Sequence, residues 1–173
     1  PANPPPSLPP PPPTPPCARE IDFALVLDES DSMASYMQGL KAFAKQLVGQ
    51  YSLGADATRF SVVSFAANAT TRVPWSYDAA TINAGIDEMS ANGDTSISDG
   101  LETAAEIFKG SRAGATKILL LFVEGEQDID AAAGQTLQGT SVAAATLIKD
   151  NDVTIFAYGF GNHVSKETLN KIA

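Results

Sequence analysis

Two largely apolar stretches constrain the fold of this chain more than any other feature. Residues 21–27 read IDFALVL and residues 117–124 read KILLLFVE, and both have the length of a strand. Strands that are apolar on both faces are typical of a parallel sheet covered by helices on two sides. A further strand is predicted at residues 153–160. The chain is therefore expected to bury a central sheet.

Helical and hairpin patterns lie between these strands. Residues 59–66 and 70–75 predict a hairpin, and Pro74 in its second strand indicates a sheet edge. The alternation of strands and helices predicts an α/β fold, namely a Rossmann-like doubly wound, mostly parallel sheet with one antiparallel edge strand. Helices are expected on both faces, at residues 33–53, 78–89, 97–109, 137–150 and 165–173.

A group of side-chain oxygens follows the first strand. Residues 28–32 read DESDS, and Asp28, Ser30 and Ser32 alternate, so in an extended loop their side chains point the same way. Carboxylates and hydroxyls are hard ligands suited to Mg²⁺, Mn²⁺ or Ca²⁺. Taken alone, the motif leaves an alternative open, because Ser before a helix is a common N-cap and Ser32 fits that role.

The order of the segments resembles the von Willebrand factor A (vWA, or integrin inserted-domain) family. The matching pieces are the DESDS loop, the hairpin, the NGDTSISDGL loop and the strand that ends at Glu124. The resemblance implies a metal-ion-dependent adhesion site made of Asp28, Ser30, Ser32, Thr95 and Glu124. It also implies that an acidic residue of a protein partner completes the coordination of Mg²⁺, Ca²⁺ or Mn²⁺.

Two residues depart from the family pattern at this site. Glu124 stands where the family has Asp, and its extra methylene either brings the carboxylate onto the metal in the partner's place or distorts the coordination. Mg²⁺ tolerates distortion less well than Ca²⁺. Asp94 stands where a second Gly is usual, and either adds charge to the rim or caps the next helix.

The first sixteen residues form a separate unit by composition. They contain 11 of the 12 prolines, so we expect a polyproline II arm or linker at 1–16 and a vWA domain, lacking its C-terminal end, at 17–173. The arm resembles hydroxyproline-rich matrix glycoproteins, and is expected to pack with neighbouring chains. Cys17, the single cysteine, is either a reduced thiol or pairs with a cysteine beyond residue 173 or on another chain, and of these we predict a disulfide partner outside residues 1–173. Asn68 begins an N-glycosylation sequon, NAT, in the hairpin turn.

The charge of the chain restricts the class of partner. A formal net charge of −9 argues against nucleic acid, and no apolar run reaches the roughly 20 residues that span a bilayer, so no direct membrane insertion is expected. We predict an extracellular adhesion or matrix-assembly module at the cell surface or in the matrix. The first alternative is a structural assembly domain with a degenerate metal site. A phosphatase-like enzyme is a remote alternative function, because Ser30 stands where that chemistry needs a second Asp.

Overall fold

A computed structural model describes residues 20–173 and contains one five-stranded sheet. The strand order is β3-β2-β1-β4-β5, and every neighbouring pair is parallel except β2 and β3. The predicted doubly wound fold with one antiparallel edge strand is confirmed. The strands are β1 (Ile21–Asp28), β2 (Thr58–Phe65), β3 (Ala69–Ser76), β4 (Thr116–Val123) and β5 (Val153–Gly159). The predictions for residues 1–16 and for Cys17 lie outside the described residues.

The helices match the predicted segments with one difference. The predicted helix at 33–53 is a short 3-10 helix, Asp31–Ser35, followed by the shorter α1. The chain leaves the helical path before Tyr51, whose ring packs edge-on against Phe23 and Phe60. Across residues 20–173, no helix has the length and apolar character needed to cross a bilayer. The helices are α1 (Met37–Val48), α2 (Ala79–Asp87), α3 (Ile97–Phe108), α4 (Leu137–Lys149) and α5 (Lys166–Ile172).

Alternate residues of β1 divide the core into two layers. Phe23, Leu25 and Leu27 face α1 and α2, whereas Ala24 and Val26 face α3, α4 and α5. This alternation is the two-residue period of a strand. It explains why β1 is apolar along nearly its whole length, and it places the end of the strand at Asp28 on the carboxyl edge of the sheet.

The opposite end of β1 carries a buried carboxylate that sequence reasoning left without a role. Asp22 is fully buried and accepts hydrogen bonds from Arg59 Nε at 2.8 Å and from Arg112 Nε at 2.8 Å. Burial alone raises the pKa of Asp22, but the hydrogen bonds from these two arginines hold it below its ordinary value. The amino end of the sheet is thus closed by a charged cluster, far from the DESDS loop.

A close approach between α2 and the edge strand gives a stability prediction. A Cβ on Gly85 would lie 2.2 Å from Val73 Cγ2, whereas a Cβ on Gly39 in α1 would have no atom within 4 Å. Gly85→Ala is expected to lower the free energy of unfolding by about 1–3 kcal/mol through overpacking. Gly39→Ala is expected to raise it by up to about 1 kcal/mol through helix propensity. Urea denaturation measures both, and equal effects would contradict the packing argument.

Candidate metal site

The loop after β1 gathers three of the predicted ligands. Asp28 is fully buried and Ser30 almost so, while Ser32 is exposed. The Ser30 and Ser32 hydroxyl oxygens lie 3.1 Å apart, and the Ser30 N–H donates to Asp28 Oδ1 at 2.9 Å. Neither the 3-10 helix nor α1 has a side-chain cap hydrogen bond at its N-terminus. The helix-cap role for Ser32 is therefore not what the loop geometry shows.

Asp28 is a buried carboxyl group without a cationic partner among residues 20–173. Its second oxygen, Oδ2, accepts a hydrogen bond from the Glu124 N–H at 3.0 Å. Burial raises the pKa of Asp28 above its ordinary value, and the nearby Glu124 carboxylate adds to the rise, although hydrogen bonds from Ser30 and Glu124 oppose it. A bound cation would offset the cost of burying this charge.

Thr95 lies at the same edge of the sheet, in the loop before α3. The segment after β4, which contains Asp128, holds this loop in place. The Thr95 N–H donates to Asp128 Oδ1 at 2.7 Å, and the Asp128 N–H donates to the Thr95 carbonyl at 3.0 Å. Gln127, which is 3% exposed, accepts from the Ser98 N–H at 2.8 Å. The segment after Glu124 is therefore packed against the Thr95 loop and supports it.

Glu124 lies between Asp28 and the loop after β5. The residue is 5% exposed, and its carboxylate has no hydrogen-bond or ion-pair partner within the part of the chain that the structure describes. A Cβ on Gly161, whose φ is +82°, would approach Glu124 Oε1 to 2.4 Å. Gly161 therefore leaves the space that the longer Glu side chain occupies.

Glu29, the second residue of DESDS, fixes the loop to the neighbouring strands β2 and β3. Its Oε1 accepts from the Ser64 hydroxyl and from Arg72 Nη2, both at 2.7 Å, and its Oε2 accepts from the Ser90 N–H at 3.1 Å. The carboxylate thus ties β2, β3 and the segment after α2 to the candidate site. Sequence reasoning gave it no role, because its partners Ser64, Arg72 and Ser90 are distant in the chain.

The donor set fits a hard divalent cation. It consists of two carboxylates and three hydroxyls, all oxygen ligands. No cluster of three or more acidic, histidine or cysteine side chains that would hold a metal occurs within residues 20–173. Asp94 is exposed at the rim, and Ser96, not Asp94, caps α3 by accepting from the Asp99 N–H. A cation at this edge would depend on Asp28, Glu124 and the neighbouring hydroxyls.

Comparison with known proteins agrees with this arrangement. The profile of the von Willebrand factor type A domain matches residues 22–173. The chain belongs to the von Willebrand factor type A family. Membership confirms the family resemblance. The homologous vWA domains are in general adhesion or matrix-assembly domains without enzymatic activity, which agrees with the prediction of a binding module.

Two relatives of this vWA chain are matrix proteins. Collagen alpha-5(VI) chain of Homo sapiens is 28% identical over 159 residues, which cover 88% of this chain and 6% of the collagen chain. Proximal thread matrix protein 1 from the mussel byssus, solved with a zinc-occupied MIDAS motif, is 30% identical. Its TM-score is 0.76, and the match covers 91% of this chain and 40% of the mussel protein. The vWA chain thus spans well under half of either relative.

A bacterial neighbour shows how widely the same fold occurs. The von Willebrand factor type A structure from Catenulispora acidiphila has a TM-score of 0.76 at 22% identity. The match covers 90% of this vWA chain and 36% of the bacterial one. At that identity the likeness shows the fold alone.

The predicted glycosylation site lies where the modification needs it. Asn68 is exposed in the turn between β2 and β3, outside the candidate metal site. Its accessibility is compatible with an attached glycan, and its modification stays a prediction.

Proposed function

We propose that this vWA domain is an extracellular matrix or adhesion module that binds protein partners through a divalent cation. The observation that carries the proposal is the buried, uncompensated Asp28 carboxylate at the point where the DESDS, Thr95 and Glu124 segments meet. The matrix proteins among its relatives support the matrix setting, and the zinc-occupied MIDAS motif of the mussel protein supports cation binding at the corresponding motif.

The proposed ligands come from three loops. Asp28, Ser30 and Ser32 are supplied by one short loop that Glu29 anchors, whereas Thr95 and Glu124 come from separate loops. The cation is Mg²⁺, Ca²⁺ or Mn²⁺, and it would supply a positive centre that attracts an anionic oxygen. We propose that an acidic residue of the partner is the group that it attracts.

Glu124 decides how far such a partner can approach. Its carboxylate either contacts the cation in the partner's place or stays against the Gly161 loop, where the structure has it. The second position keeps the cation accessible and favours the adhesion reading. The first gives the alternative function, a structural assembly domain held by its side surfaces and the Pro-rich arm of residues 1–16.

Cation binding is tested by titrating the chain with Mg²⁺, Ca²⁺ and Mn²⁺ in a calorimeter. Asp28→Ala is expected to weaken binding by roughly 100-fold or more, because loss of an outer-shell partner of a ligand already costs 10–100-fold. Asp31→Ala is the matched control, since Asp31 lies in the same loop but is exposed. If the unsubstituted chain bound no cation at millimolar concentration, the cation-dependent function would be wrong. The structural assembly domain with a degenerate metal site would then be the remaining function.

A further inference from the structure

The segment between α2 and α3 lies directly on the DESDS loop. The Asn92 N–H donates to the Glu29 carbonyl at 2.8 Å, and the Asp31 N–H donates to the Gly93 carbonyl at 2.9 Å. We call these two hydrogen bonds the loop junction. Thr95 follows Gly93 by two residues. Two of the three loops that supply the proposed ligands are therefore joined through their backbones.

The Glu29 carboxylate adds a side-chain contact to the loop junction. Its Oε2 accepts a hydrogen bond from the Ser90 N–H at 3.1 Å. In the part of the chain that the structure describes, no other side chain from outside residues 90–93 forms a hydrogen bond with that segment. Glu29 is 3% exposed, so this contact is shielded from water and strengthened by its surroundings.

Two side chains of the sheet fix the orientation of the Glu29 carboxylate. Its Oε1 accepts from the Ser64 hydroxyl and from Arg72 Nη2, and Arg72 Nε in turn donates to Ser64 Oγ at 2.8 Å. The three side chains thus form a closed ring of hydrogen bonds. Because an arginine presents its donors in a rigid fork, the ring holds the carboxylate with Oε2 directed at Ser90.

The spacing of the two loops affects Mg²⁺ and Ca²⁺ differently. Mg²⁺ requires near-octahedral coordination at about 2.0–2.1 Å, whereas Ca²⁺ accepts a flexible set of oxygen ligands. Both cations carry the same charge, so a change of charge beside the site alters both affinities alike, while a change of ligand spacing separates them. Ser30 and Ser32 lie on one side of the loop junction and Thr95 lies on the other.

We propose that Glu29 is a positioning residue that shifts the selectivity of the cation site toward Mg²⁺. It does so by fixing the loop that carries Ser30 and Ser32 against the segment that carries Thr95. This inference rests on the proposed cation-dependent function. It adds the choice of cation, which a set of oxygen donors alone leaves open.

The first test compares Glu29→Gln with Glu88→Gln in calorimetric titrations of Mg²⁺ and of Ca²⁺. A Gln side chain has one acceptor oxygen and an amide group that only donates, so it cannot accept from both Arg72 and the Ser90 N–H. Mg²⁺ binding is expected to weaken by about tenfold or more, the effect typical of losing a hydrogen-bond partner behind a metal ligand, and Ca²⁺ binding by less.

Glu88→Gln is the matched control for these titrations. Glu88 is exposed and lies two residues before Ser90, so its substitution is expected to leave both affinities unchanged. Equal weakening of both cations by Glu29→Gln would overturn the proposal, because it would indicate an effect of charge or of stability and not of ligand spacing.

Amide hydrogen exchange in the cation-free chain tests the loop junction by itself. In Glu29→Gln the Asn92 and Asp31 amides are expected to exchange about tenfold faster or more, because hydrogen bonds to a charged group are among the stronger ones. The Leu120 amide in β4 reports opening of the sheet and is expected to change less. Equal acceleration of all three amides would give Glu29 a role in overall stability alone and overturn the proposal, as would unchanged exchange at Asn92.

Arg72→Lys supplies a milder second variant. Lysine keeps the positive charge but lacks the fork that joins Ser64 to Glu29, so the ratio of the Mg²⁺ to the Ca²⁺ dissociation constant is expected to rise, although less than in Glu29→Gln. Cation binding with an unchanged ratio in both variants would refute this inference and leave the proposed function intact. If the unsubstituted chain bound neither cation, the proposed function and the selectivity would both be wrong, and the exchange result would still show whether Glu29 joins the two loops.

Discussion

Asp22→Asn is expected to lower the free energy of unfolding by about 3–5 kcal/mol at neutral pH, the cost typical of removing one partner from a buried ion pair. Asp22 is fully buried, and the side chains of Arg59 and Arg112 are only 17% and 18% exposed. The Arg112 backbone N–H also donates to Asp22 Oδ2, at 2.6 Å. An Asn side chain has no charge to balance the two guanidinium groups, which would remain largely buried.

The pH dependence of this effect has a definite sign. Because the pKa of Asp22 is lowered in the folded chain, its stabilisation is fully present above the pKa of the unfolded carboxyl, about 3.9. It is lost as the pH falls through the lowered folded value. The difference between the unsubstituted chain and Asp22→Asn is therefore expected to be constant between pH 5 and 7 and to shrink below about pH 4.

Urea denaturation at pH 7 and pH 3 measures both parts of the Asp22 prediction. Asp87→Asn is the matched control, because Asp87 pairs with Lys45 at the surface, where ion pairs contribute less than about 1 kcal/mol. A loss for Asp22→Asn no larger than that of the control would show that the buried cluster does not stabilise the fold.

Gly161→Ala is expected to destabilise the chain by about 2–5 kcal/mol and to weaken cation binding. The left-handed backbone at φ +82° costs an L-residue about 1–2 kcal/mol. The added methyl would also overlap Glu124 Oε1, and overpacking of a buried site costs roughly a further 1–3 kcal/mol. Because Glu124 is a proposed ligand, its displacement would alter the calorimetric titration as well as the stability.

Two comparisons separate the backbone cost at Gly161 from the contact with Glu124. Gly134 has a φ of +78° and no atom within 4 Å of an added Cβ, so Gly134→Ala is expected to cost about 1–2 kcal/mol with unchanged cation affinity. In a Glu124→Ala background, Gly161→Ala should fall to the same cost, as a double-mutant cycle would show. Equal costs of Gly161→Ala in both backgrounds would mean that the loop does not hold the carboxylate.

The fold was predictable because its signals are local and periodic. The apolar runs ending at Leu27 and Val123 are typical of strands buried on both faces, and Pro74 correctly marked an edge strand. The exception was the helix predicted from residue 33 to 53. Its apolar stripe includes Tyr51, which is partly buried and packs against the core from outside α1, so periodicity alone did not show where the helix ends.

The supports of the candidate site were not predictable in the same way. Glu29, Asp128 and Gln127 are polar residues in loops, and sequence alone gives no reason to prefer them over solvated ones. Each acquires a role only through a partner distant in the chain, such as Arg72 for Glu29 and Thr95 for Asp128. Asp22 is the same case, since its arginines are 37 and 90 residues away.

Three features of this protein were determined by the sequence alone. They are a mostly parallel sheet, an oxygen-rich loop that begins at Asp28, and the resemblance to a family in which such a loop binds a cation. Only the tertiary structure decided that Asp28 is buried without a cationic partner among residues 20–173 and that Glu124 rests against Gly161. The physical reason is the range of the interactions. Periodicity and composition act over a few residues, whereas burial and the pairing of charges depend on which distant segments meet.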